Sequence, residues 1–273
     1  MAIFNTIISI LAAIILFLFS LGGFSRELQE VGADRRRLWL SKVTQNRFGG
    51  FFLGIILTAL IQSSSAVTSI TVSLVDAEVI SFANSLAVLI GSNLGTTFTA
   101  WLVAFKLENL GSWLLVLGTL LSLVPFRIKL IGKSIFYLGL ILFSLQEINS
   151  SLKPLSQNPE VIFWLSKVDN LFLGILIGAV LTALLQSSSV TTGLTIILAS
   201  QEMLSLPAAF AIVVGCNIGT TSTALLASIS LSKSAKRTAT ANLIFNFAGL
   251  LFFVPSLRPT ANCNCRLGFT YFL

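Results

Sequence analysis

The sequence predicts an all-α polytopic membrane protein built from two inverted repeats, each with a re-entrant helical hairpin and a broken transmembrane helix. Three observations predict it. The 273 residues are 55% hydrophobic and only 10% charged, with a mean hydropathy of +0.94, whereas a soluble domain carries about 25% charged residues. A shift of 124 residues, which carries Gln62 onto Gln186, aligns the two halves without a gap. The basic residues, finally, fall on one side of the membrane if one segment of each half is a hairpin.

The repeat extends well beyond the best-matched stretch. Leu18-Phe19-Ser20-Leu21 lands on Leu142-Phe143-Ser144-Leu145, and Asn46, Gly50 and Gly54 land on Asn170, Gly174 and Gly178. Thr58-Ala59-Leu60 lands on Thr182-Ala183-Leu184, then Gln62-Ser63-Ser64-Ser65 on Gln186-Ser187-Ser188-Ser189. About 28 residues past each serine run comes a second motif, Gly91-Ser92-Asn93-Leu94-Gly95-Thr96-Thr97 and Gly215-Cys216-Asn217-Ile218-Gly219-Thr220-Thr221. The chain is therefore two copies of one unit, residues 1–125 and 126–257, followed by a tail of uncertain structure at 258–273.

Taken in order, the first unit reads as apolar segments 3–24, 48–75, 79–105 and 110–125. The second reads as 128–146, 170–199, 203–231 and 240–257. Runs of about 20 apolar residues are long enough to cross a bilayer core. Segment 3–24 lacks a basic leader and a clear small-residue cleavage site, so it reads as a retained helix rather than a signal peptide. If 48–75 and 170–199 are hairpins, each unit has an odd number of crossings and the second is inverted. The loop 25–47 is then inside with Arg26, Arg35, Arg36, Arg37, Lys42 and Arg47. Arg127, Lys129, Lys133, Lys233, Lys236 and Arg237 join it, leaving Lys106, Lys153 and Lys167 outside. Twelve basic residues inside against three outside is a strong positive-inside bias. Eight full crossings would instead move the 127–133 loop outside and make the units parallel. The hairpin reading puts both termini outside. The tail, Arg258 to Leu273, has no repeat partner; it reads as a short outer tail or as the altered end of a longer chain.

Several function classes fall away. Histidine is absent, which removes Ser–His catalysis and imidazole metal sites. No acidic pair lies within the apolar segments to serve as acid and base, so no enzyme activity is expected. Cys216 reads as a packing residue, and Cys263-Asn264-Cys265 is too little for a zinc site. The net charge of +7 lies in short loops and reports orientation, not nucleic-acid binding. No cofactor is expected.

The serine runs have the chemistry of hairpin turns. Serine competes for its own backbone and favours helix starts. The half-helix after each run opens with free N–H groups and a positive dipole end, which suits an anion, phosphate in particular. The second motif suits a broken helix, since each glycine costs about 1 kcal/mol of helix preference. Asn93, Thr96, Thr97, Asn217, Thr220 and Thr221 offer oxygens of the kind that hold Na⁺ beside unwound backbone. Neither motif carries a charge, and an isolated buried anion is costly, so co-transported cations are expected to offset it.

Plainer readings exist for each feature. One serine run would suit close helix packing; two in register, each with its second motif, point to a site. Asp76 and Glu78 read as solvated loop charges, Arg35–Arg37 as a topology signal, and Asn242 and Asn246 as packing residues. The 22 Phe read as lipid-facing surface.

The paired QSSS runs, each followed by G-x-N-x-G-T-T, resemble the sodium-dependent phosphate cotransporter family, the type II group and its bacterial relatives, most closely over 45–105 and 168–231. The resemblance implies inorganic phosphate as substrate and sodium as coupling ion, with symport by alternating access. It implies that Ser63, Ser64, Ser65, Ser187, Ser188 and Ser189 hold phosphate. It also implies that Gln62 and Gln186 orient the hairpins and share in sodium binding. A carrier of another small anion and a membrane phosphate sensor without flux remain alternatives. The expected partners are phosphate, sodium and the lipid bilayer of the plasma membrane (the inner membrane in a bacterium). A homo-oligomer is left open.

Overall fold

The computed structural model describes residues 2–31, 44, 46–104, 110–124 and 128–253. Arg35–Arg37, Lys42, Lys106, Arg127, Cys263, Cys265 and the whole 258–273 tail lie outside the described residues. The described chain forms twelve α-helices of eight residues or more. These are α1 Ala2–Val31, α2 Arg47–Ile61, α3 Ser64–Asp76, α4 Phe82–Gly95, α5 Thr97–Ala104 and α6 Leu110–Ser122. Then follow α7 Ile128–Leu152, α8 Pro159–Ser166, α9 Leu171–Leu185, α10 Ser188–Ser200, α11 Leu206–Ser228 and α12 Lys233–Phe253.

The helix bounds repeat at the sequence shift. α2 and α9 begin and end 124 residues apart, as do α3 and α10. Asn46 and Asn170 cap α2 and α9 in the same way, each side-chain oxygen accepting from the N–H two residues on. Ser81 and Ser205 likewise cap α4 and α11. Among the described residues four non-glycine residues have positive φ, and they form two equivalent pairs: Gln62 with Gln186, and Glu78 with Glu202.

Among the described residues three helices are long and apolar enough to cross a membrane, over Phe4–Glu27, Ile131–Gln157 and Leu206–Ser228. The 48–75 and 170–199 segments are not single spans. Each is two apolar helices of 15 and 13 residues joined at the serine run. At ~1.5 Å rise per residue, 15 residues reach about 22 Å, short of a hydrocarbon core of about 30 Å.

Packing between the halves is reciprocal. α1 packs on its own counterpart α7, α3 packs on α11, and α10 packs on α5. Phe17 of α1, Ile141 and Ile148 of α7, and Val190 and Ile197 of α10 form the largest buried apolar cluster. Glu27 of α1, 7% exposed, pairs with Lys133 of α7 at 3.0 Å. Reciprocity ends at α6, which packs on α7, while its counterpart α12 packs on α3, α4 and α11.

Two expectations are corrected here. The second copy of the broken helix is not broken, since α11 runs continuously from Leu206 to Ser228. In the first copy the interruption is a single residue, Thr96, whose φ of −64° and ψ of −26° stay helical. The glycines serve close approach instead. A methyl group on Gly91 would run into the Phe51 carbonyl, and one on Gly215 into the Ile175 carbonyl. Gly54 and Gly178 meet Val88 and Ile212 in the same way from the other helix. Small residues four apart let two backbones touch, and that packing outweighs the propensity cost of glycine within the helix. The second correction concerns Lys129, Lys133, Lys233, Lys236 and Arg237. They lie in the opening turns of α7 and α12 rather than in loops.

Candidate functional site

Each serine run begins with a glutamine in left-handed backbone. Gln62 has φ 55°, ψ 27°, and Gln186 has φ 54°, ψ 23°. Ser63 and Ser187 follow in extended backbone, so α3 and α10 start afresh at Ser64 and Ser188. Their first N–H groups have no partner within the helix, and the positive end of each helix dipole sits at the serines.

The two runs come together. Ser189 Oγ donates to the backbone carbonyl of Gln62 at 3.3 Å and lies 3.2 Å from Thr99 Oγ1. Thr99 Oγ1 donates to Gln62 Oε1 at 2.7 Å, and Gln62 Nε2 donates to the Ala59 carbonyl at 2.5 Å. One hairpin tip is thus bonded to the other repeat's serine.

The second motifs are also joined, through α12. Asn93 Nδ2 donates to Asn246 Oδ1 at 2.9 Å, and Asn246 Nδ2 donates to the Asn217 carbonyl at 3.0 Å. Asn246 is therefore an interhelical bridge, consistent with packing. One turn earlier Asn242, 1% exposed, has no hydrogen-bond partner for either amide atom among the described residues.

The expected site residues are placed as follows. Ser64, Ser65, Ser188 and Ser189 are buried at 4, 8, 5 and 3% exposure, and Ser63 and Ser187 are half-buried. The hydroxyls of Ser64, Ser65 and Ser188 make no hydrogen bond among the described residues. None of these three oxygens is among the fully enclosed side-chain atoms left without a partner, so they keep access to solvent, and three unspent hydroxyls beside two helix starts form a polar surface with capacity for an anion. Gln62 is buried, whereas Gln186 is exposed. Asn93, Thr96 and Thr97 are half-buried, Asn217 is exposed, and Thr220 and Thr221 are buried. Thr96, Thr97, Thr220 and Thr221 each donate to a carbonyl of their own helix or of the turn before it. Their lone pairs remain available to a cation.

Sequence reasoning gave Thr99 no site role and favoured packing for Asn246. Thr99 lands on Thr223 at the same shift of 124; a repeated hydroxyl two residues past the Gly-Thr-Thr motif was the available signal. The Cys216 thiol takes the place of Ser92, which shares a 2.7 Å hydrogen bond with Thr58. The equivalent Thr182 donates to Thr191 at 3.1 Å and also neighbours the Cys216 thiol. Among the described residues no cluster of three or more Cys, Asp or Glu side chains is arranged to hold a metal ion.

These features define a helical membrane protein with an internal duplication and an uncharged polar centre shared by its halves. The chain belongs to the Na⁺/Pi-cotransporter family, whose sequence model matches residues 16–150 and again residues 151–272. A Bacillus subtilis protein, YqeW, is 32% identical over 256 residues, covering 92% of this chain and 82% of its own length. "Putative inorganic phosphate export protein YjbB" of Escherichia coli K12 is 29% identical over 265 residues, 96% of this chain. The chain spans only 49% of that protein's length. Human "Sodium-dependent phosphate transport protein 2C" is 43% identical over 93 residues, 32% of this chain and 16% of its own length. No solved structure matches the chain.

Proposed function

We propose that the protein carries inorganic phosphate across the plasma membrane in symport with sodium, by alternating access to one site between the two hairpin tips. The observation that carries this reading is the meeting of the two serine runs, Ser189 on Gln62, beside three serine hydroxyls that bond to no described residue. Ser63–Ser65, Ser187 and Ser188 donate to the phosphate oxygens, together with the first N–H groups of α3 and α10; Ser189 joins them once its O–H leaves the Gln62 carbonyl. No charged side chain belongs to either motif, so the dianion's charge is offset by helix ends and by cations that enter with it. Gln62, Gln186, Asn93, Thr96, Thr97, Asn217, Thr220 and Thr221 supply neutral oxygens of the hard type that sodium takes. The short paired helices α2–α3 and α9–α10 enter and leave on one side, the halves lie upside down to each other, and both chain ends face outward.

Purified protein in proteoliposomes should accumulate labelled phosphate only with sodium higher outside than inside. Equal uptake after the sodium gradient is collapsed overturns the coupling. The name carried by the Escherichia coli relative favours a second reading, net export of phosphate. Preloaded vesicles that lose phosphate against an inward sodium gradient would establish it. Competition by sulfate or arsenate separates phosphate from other small anions, and binding without flux identifies a sensor.

A further inference from the structure

The two hairpin tips have the same sequence and the same backbone angles, but they are not in the same state. At the first tip, Gln62 is 5% exposed, its N–H donates to the Thr58 carbonyl, and Ser63 Oγ accepts from the Ala66 N–H. Its side chain is gripped by Thr99, and its carbonyl by Ser189 of the other repeat. At the second tip, Gln186 is exposed and Ser187 makes no side-chain cap. The counterparts of the gripping residues make no bond to this tip. Thr223 Oγ1 donates to the Thr220 carbonyl of its own helix at 2.8 Å, and the Ser65 hydroxyl makes no bond among the described residues.

This difference coincides with a difference in the helices. The first copy is interrupted at Thr96, three residues before Thr99, and α5 packs against α10. The second copy, α11, is continuous through Thr220, and Thr223 stays on its own helix. Identical local sequence in two arrangements is what a bistable element gives when its partners differ.

We propose that Gln62–Thr99–Ser189 is one of two alternative latches and that Gln186–Thr223–Ser65 is the other. One tip is locked by the opposite repeat while the other stands open, and exchange of the latches moves the open side across the molecule. Thr99 and Thr223 are positioning residues in this exchange: they hold the glutamine amide and release it. The proposal rests on the reading of the two tips as one transport site, but its test does not use transport.

Hydrogen–deuterium exchange of the full chain in detergent reads both tips without altering their sequence. In sodium-free buffer, residues 60–66 should exchange about five- to tenfold more slowly than 184–190, the protection expected from a few extra hydrogen bonds. Thr99→Val should abolish that protection and transfer it to 184–190, whereas Thr99→Ser should retain it at 60–66. Thr223→Val alone should leave the starting pattern unchanged, and Thr99→Val with Thr223→Val should leave both tips fast. Equal exchange at the two tips in the unaltered protein overturns the proposal. So does loss of protection at 60–66 in Thr99→Val with no gain at 184–190. If protection moves as expected while proteoliposomes show no sodium-driven phosphate flux, the transport reading falls and the latches stand. The converse pair of results rejects the latches alone.

Discussion

Gln62 and Gln186 hold a backbone conformation that glycine adopts freely and other residues adopt at a cost of order 1 kcal/mol. What each glutamine receives in return differs. Gln62 gains bonds to Thr99, Ala59 and Ser189, whereas Gln186 is exposed. Gln186→Gly should therefore leave thermal stability in detergent unchanged or raise it by up to about 1 kcal/mol. Gln62→Gly should lower it, because Thr99 loses its acceptor. Ser64→Ala and Ser188→Ala remove hydroxyls that no described residue uses. Stability and expression should survive both changes, while phosphate uptake in proteoliposomes should fall at least tenfold. Retained uptake in both would move the anion away from the serine runs.

At the scale of elements, the contacts α2 on α4 and α9 on α11 depend on glycines in both helices. Gly178→Val drives a branched side chain into the Ile212 carbonyl. It should cost about 1–3 kcal/mol or more, read as a lower midpoint of thermal unfolding. Gly249→Ala meets nothing within 4 Å and should be neutral or stabilising by up to about 1 kcal/mol. A second elemental link ties the end of α3 to the start of α12, where Asp76 Oδ1 accepts from the Ser232 N–H at 2.7 Å. That bond holds the carboxyl below its ordinary value of 3.8. A lowered carboxyl stabilises the fold above its unfolded value and loses that contribution as pH falls through the lowered one. Stability should thus decline below pH 3.8, and Asp76→Asn should flatten that decline in an acid titration followed by tryptophan fluorescence.

For the whole molecule, the decisive property is the relative orientation of its halves. In a background with Cys216, Cys263 and Cys265 replaced, single cysteines across 60–66 and 184–190 can be labelled by a membrane-impermeant reagent from either side. Access to the two stretches from opposite faces is the expected result. Access from the same face rejects the inversion and restores the eight-crossing topology. The contacts α3 on α11 and α10 on α5 pair equivalent elements of the two halves.

Much of this was legible in the amino-acid sequence, because hydropathy and a gapless duplication act through local, additive physics. Apolar runs must be helical in a membrane, serine runs favour helix starts, and asparagines at 46 and 170 cap. The sequence by itself therefore determined the class, the duplication, the helix breaks at both serine runs and the family. It misjudged the Gly-x-Asn-x-Gly motif because glycine's helix penalty is local, whereas its use in close packing depends on which helix lies opposite. Only the tertiary structure decided that Ser189 reaches Gln62, that Asn246 joins Asn93 to Asn217, and that two identical tips stand in different states. Those outcomes depend on contacts between residues 29 to 153 positions apart. Identical local sequence cannot encode a difference that only its surroundings impose.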